Sequence, residues 1–154
     1  MILPSTDVSS DVLGVSKYAE SLEEHLKNTT IEFASFDSVA SNPLSLFKCG
    51  VGLFRSDADV FHVQFDYVVF GRIAEFVFVF FPLLYLAKRV TGARVVVTMH
   101  EVINRDLVAA PLIPLKRLYI YAVNHLVALV ADELLFLSEH NVDRFQTDVD
   151  VSNY

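Results

Sequence analysis

Three short apolar stretches that break off into polar groups constrain this chain more than any other feature. Val60-Phe61-His62-Val63-Gln64-Phe65 runs into Asp66, Val95-Val96-Val97-Thr98 into Met99-His100-Glu101, and Leu134-Leu135-Phe136-Leu137 into Ser138-Glu139. Runs this short and this apolar read as strands buried on both faces, the condition of a parallel sheet under helices. Ahead of them, Leu13-Gly14-Val15-Ser16-Lys17-Tyr18 reads as a glycine-led helix start. Open parallel sheets bind ligands in the crevice outside the carboxyl ends of their strands, so function is expected at the polar residues that follow each run.

The intervening segments carry helical periodicity. Tyr18, Leu22 and Leu26 recur every fourth residue, opposite Glu20, Glu23, Glu24 and Lys27, which predicts an amphipathic helix closed by Asn28-Thr29-Thr30. Ile31 to Phe36 alternates as a strand does, and Ser41-Asn42-Pro43 opens a short, glycine-interrupted helix through Leu44, Leu46, Phe47, Val51 and Phe54. From Ile73 to Val90 the length predicts a helix despite the strand propensity of Phe76-Val77-Phe78-Val79-Phe80-Phe81. Lys88-Arg89 and Gly92 supply its C-terminal signals, because cations and a left-handed glycine both suit exposed carbonyls. Pro111 and Pro114 precede a helix over roughly 115–130, and Ser138 opens another. Strand and helix alternate throughout, which predicts one α/β domain over residues 1–154, with a mostly parallel sheet between two helical layers. Met1-Ile2-Leu3 offers only a stub of strand before Pro4, and the chain stops in a polar tail after Asn141-Val142-Asp143-Arg144-Phe145, so it reads as part of something larger.

With 154 residues, 53% of them hydrophobic, the chain is able to bury one sizeable core. A formal net charge of -7 works against phosphate-backbone binding, and no nucleic-acid partner is expected. Cys49 is the sole cysteine, which rules out an intrachain disulfide and a thiolate zinc cluster and fits a reducing, cytoplasmic setting. The N-terminus has neither a basic leader nor a long apolar stretch. Val68 to Ala87 is the most membrane-like segment, but Arg72, Glu75, Gly71 and Pro82 interrupt it. Because a span needs about 20 apolar residues, this segment is expected to be buried in the core or to touch a membrane surface.

The candidate site residues are those at strand ends and loop starts. Gly14 and Val15 precede a helix N-terminus, where free N–H groups favour an anion; a tight turn is the plainer explanation. His100 puts a titratable imidazole at the carboxyl end of the strongest strand, where it serves either a ligand hydroxyl or the core. Glu101 is adjacent and therefore points to the opposite face, so no His-Glu dyad follows. His62, Gln64 and Asp66 share one face of their strand as candidate pocket lining, with bonding to neighbouring backbone as the alternative. Ser138 reads first as a helix cap. It is not a nucleophile, since the Gly-x-Ser-x-Gly elbow is missing. His62, His100 and His140 show no ligand spacing, so no metal is expected. A nicotinamide site would need a Gly-x-Gly-x-x-Gly turn, which the Gly14 loop lacks.

Taken in order, the Gly14 loop, Phe61-His62-Val63-Gln64-Phe65-Asp66-Tyr67 with Phe70-Gly71, Val96-Val97-Thr98-Met99-His100-Glu101-Val102, and Ala131-Asp132-Glu133 through Leu137-Ser138-Glu139 resemble the N-terminal domain of glycosyltransferases with the GT-B fold, family 4. The resemblance extends from about Gly14 to Phe145. It implies a Rossmann-like acceptor-side half of a retaining enzyme of the polysaccharide biosynthesis kind. That enzyme would move a hexose from a nucleotide sugar to a hydroxyl on a glycan or lipid-linked acceptor. By the resemblance, Gly14 and Val15 lie near the donor phosphates, His100 touches the transferred sugar, and no metal or other cofactor is needed. The donor sits mainly in a C-terminal domain, in cis or in trans, without which the chain is inactive. Lys88-Arg89 and Lys116-Arg117, beside apolar helices, fit either solvated helix ends or a peripheral contact with the cytoplasmic membrane face. The rival class is a non-catalytic ligand- or protein-binding module on the same sheet.

Overall fold

The computed structural model of the chain describes residues 2–4, 21–22, 24–25, 30, 34–36, 43–67, 70, 76–107 and 110–150. Among them five strands, β1 (Ile2–Pro4), β2 (Ala34–Phe36), β3 (Val60–Phe65), β4 (Arg94–Met99) and β5 (Glu133–Phe136), form one sheet in the order β2-β1-β3-β4-β5. Every pairing is parallel. Parallel neighbours need crossovers, and α1 (Pro43–Leu53), α2 (Val77–Thr91) and α3 (Ile113–Val130) supply them, with α4 (Glu139–Gln146) after β5. The chain is thus a small α/β fold. The predicted amphipathic helix over 18–27 lies mostly outside the described residues, of which 21–22 and 24–25 are helical.

Some boundaries differ from expectation for physical reasons. Ile2–Pro4 is as short as expected, a three-residue strand, but it lies inside the sheet, between β2 and β3, paired to β2 over all three residues. The chain therefore passes from β1 outward to β2 and then back across to β3, which makes the β1/β3 boundary the switch point of the sheet. β5 starts one residue early, at Glu133, because Asp132 anchors it: its N–H donates to Val95 O at 2.7 Å while its carboxylate accepts from Val95 N at 2.8 Å. The predicted helix from Ile73 begins at Val77, residues 71–75 being outside the described set. It ends as its sequence signals, with Gly92 at φ 78° and its N–H donated to Lys88 O. Lys88 itself reaches away from the helix end to Asp132, at 2.6 Å.

Phe61, Val63 and Phe65 of β3 and Val95, Val97 and Met99 of β4 face a single core shared with Phe80, Phe81 and Leu84 of α2 and Val123 and Val127 of α3. Phe65 meets Phe81 edge-on at 5.7 Å and stacks on Phe70 at 5.1 Å. Burying each such side chain contributes about 1.5–3 kcal/mol. α1 packs on α2 at Gly50, where an added Cβ would come within 3.0 Å of Leu83 Cβ. The other face of the two central strands carries His62, Gln64, Val96 and Thr98.

Candidate site at the carboxyl edge

β3 and β4 pair in register, His62 beside Val96, Gln64 beside Thr98 and Phe65 beside Met99. Their burial rises in step, from exposed Val60 and Arg94 at the amino ends to residues closed off on both faces near the carboxyl ends. Gln64 is 1% exposed and Thr98 0%, so their polar atoms must find partners within the protein. They find them in the two histidines. His100 Nε2 lies 2.7 Å from Gln64 Oε1, Gln64 Nε2 lies 3.1 Å from His62 Nε2, and Thr98 Oγ1 closes the row 2.8 Å from the same His62 nitrogen. Both rings are held neutral at pH 7. Burial pushes His62 down to about 4, helped by the nearby His100. Burial also lowers His100, against the pull of the Asp66 carboxylate.

Loops at the same edge converge on His100. Its N–H donates to Phe65 O at 3.0 Å, and its carbonyl accepts from Asn141 Nδ2 at 3.3 Å. Asn141 is in turn the residue whose backbone N–H donates to Ser138 Oγ, the N-cap of α4. The His100 carbonyl and the Ser138 hydroxyl are therefore linked through one residue, Asn141. Asp66 is half-buried beside this edge. Glu101 is exposed, and its charge acts on the Tyr67 phenol, whose pKa burial raises first of all. Gly14 and Val15 lie outside the described residues. His140 is exposed on α4, and among the described residues no group of three or more His, Cys, Asp or Glu side chains is placed to hold a metal ion.

A second polar assembly lies under α3. Tyr67 OH donates to Asn124 Oδ1 at 2.5 Å, with Ile103 O also within reach at 3.2 Å. Asn124 Nδ2 donates to Ile103 O at 3.0 Å and to Asp148 Oδ2 at 2.8 Å. Arg105 Nε completes an ion pair with Asp148 Oδ1 at 3.3 Å, and Arg105 Nη2 donates to Thr147 O. Arg105, Asp106, Arg117, Leu118 and Tyr121 line an open hollow of about 600 Å³ beside it. Sequence reasoning singled out none of these residues as a group. The available signal was Asn124, a lone amide in the most apolar face of a long helix, where burial demands a partner.

No family model, curated protein or solved structure matches the chain at a significant level. Among the described residues no helix is long and apolar enough to cross a membrane.

Proposed function

We propose that the chain is the acceptor-side half of a retaining GT-B glycosyltransferase, passing a hexose from a nucleotide sugar to a hydroxyl of a glycan or lipid-linked acceptor. The observation that supports this reading is the imidazole of His100 at the carboxyl tip of β4, its charged form disfavoured by burial, with the His100 backbone carbonyl held by Asn141 of the capped start of α4 and its N–H by Phe65 at the carboxyl end of β3. A neutral imidazole offers a sugar hydroxyl a directional hydrogen bond without the desolvation penalty of a charge. His100 would meet the transferred sugar, Gly14 and Val15 its phosphate, and Asp66 and Ser138 the surrounding rim, with His62 behind it through Gln64. The nucleotide belongs to a second lobe, in cis or in trans, so the chain alone binds weakly and does not turn over. Leu112, Leu115 and Leu118 stand exposed beside Lys116 and Arg117 at the start of α3, which favours peripheral contact with the cytoplasmic membrane face.

Glucose 1-phosphate, which carries both a hexose and a phosphate, tests the reading. It should bind the purified chain with millimolar affinity, and His100→Ala should weaken binding about tenfold, the worth of one hydrogen bond. Release of glucose from UDP-glucose by the purified chain, or binding indifferent to His100→Ala, would overturn it. The Arg105–Arg117 hollow favours the alternative of a binding module. Loss of binding in Arg117→Ala with His100→Ala unaffected would select that alternative.

A further inference from the structure

Gln64 contributes one amide to two histidines, and an amide has unlike ends. Its Oε1 only accepts and its Nε2 only donates. Facing Oε1 at 2.7 Å, the Nε2 of His100 must carry a proton; facing the amide nitrogen at 3.1 Å, the Nε2 of His62 must not. The hydroxyl of Thr98, 2.8 Å from that same His62 nitrogen, then points its proton at the same single lone pair and shares it with the amide. Reversing the amide would exchange both roles at once: His62 would become the Nε2–H ring and His100 the acceptor, with Thr98 accepting from His62. In neither arrangement do the two rings share a tautomer. Protonating His62 in the observed arrangement would set N–H against N–H, and its burial disfavours the charge independently.

We propose that Gln64 is a positioning residue that locks His62 and His100 into opposite neutral tautomers, with His100 the Nε2–H form, and so couples the hydrogen-bonding role of the ring at the strand tip to a ring two pleat repeats deeper. A ligand that needs the other role from His100 must reverse the amide and retautomerise His62 with it. Gln64 itself, being buried, acts only through the two rings. The proposal depends on the transferase reading solely for its choice of His100 as the ligand-facing group; the tautomer pattern is independent of it.

Long-range proton–nitrogen NMR spectra of the full chain, which separate the imidazole tautomers, provide the test. At pH 7 the wild type should show His62 protonated at Nδ1 and His100 at Nε2. Gln64→Met, close in volume and unable to bond, should release both rings into mixed tautomers while the backbone amide spectrum stays folded. In Gln64→Glu, a carboxylate that accepts at both ends should turn His62 to the Nε2–H form. Two rings of the same tautomer in the wild type, a reading that requires no variant to fold, would overturn the proposal, as would Gln64→Met with tautomers unchanged. Normal tautomers in a chain that ignores glucose 1-phosphate would instead sink the transferase reading and leave this one standing.

Discussion

The two buried polar assemblies of this molecule are built to different ends. Under α3, Tyr67, Asn124, Asp148 and Arg105 join four separate segments, and a carboxylate and a guanidinium fix which group donates and which accepts. On the opposite face of the sheet, His62, Gln64, Thr98 and His100 join two neighbouring strands, and every member is neutral and able to exchange its role. The first is a brace with one arrangement. The second is a relay with two, and it lies at the edge where parallel sheets bind ligands. Burial alone does not separate structural from functional polar groups; the number of satisfied arrangements does.

The largest expected effect breaks the brace. Asn124→Leu takes the nearer acceptor from the Tyr67 hydroxyl and one donor from the buried Asp148 carboxylate, leaving them only Ile103 O and Arg105, and urea denaturation should show a loss of about 3 kcal/mol. Acidification probes the relay next. The folded His62 pKa of about 4 lies below its ordinary value of 6.5, so between those limits the unfolded chain binds the extra proton. Stability is complete above pH 6.5 and falls as pH drops toward 4, by about 2 kcal/mol once the partly solvated ring is allowed for. His62→Phe should flatten that slope. Gln64→Met should cost only about 1–2 kcal/mol, because each ring can turn its nitrogen to another partner or to solvent. A loss equal to that of Asn124→Leu would erase the distinction between brace and relay. Gly92→Ala, remote from both, should cost about 1 kcal/mol through its positive φ alone, since open space surrounds the position.

What was legible in the sequence was whatever a local pattern encodes. β3 occupies Val60–Phe65 as predicted, because an apolar run bounded by Asp59 and Asp66 leaves little freedom in its limits. Ser138 caps α4 and Gly92 closes α2 because caps depend on one side chain and its nearest N–H groups. The place of β1 was illegible for the converse reason: the stub of strand was visible, but its position between β2 and β3 depends on pairing across the sheet. The shared face of His62 and Gln64 followed from the period of a strand, but their bonding to Thr98 and His100 needed the register of β3 against β4. Tyr67, Asn124 and Asp148 lie far apart in sequence, and only the packing of α3 over the loop after β4 brings them together.

The central claim, that the relay is the ligand-facing assembly and the brace is not, is tested most directly by mapping amide chemical-shift changes as glucose 1-phosphate is added. Changes should be confined to residues 14–15, 62–66, 98–102 and 137–141, with 103–107, 117–124 and 147–149 unmoved. Changes centred on the brace and its hollow, with the His100 edge silent, would contradict it.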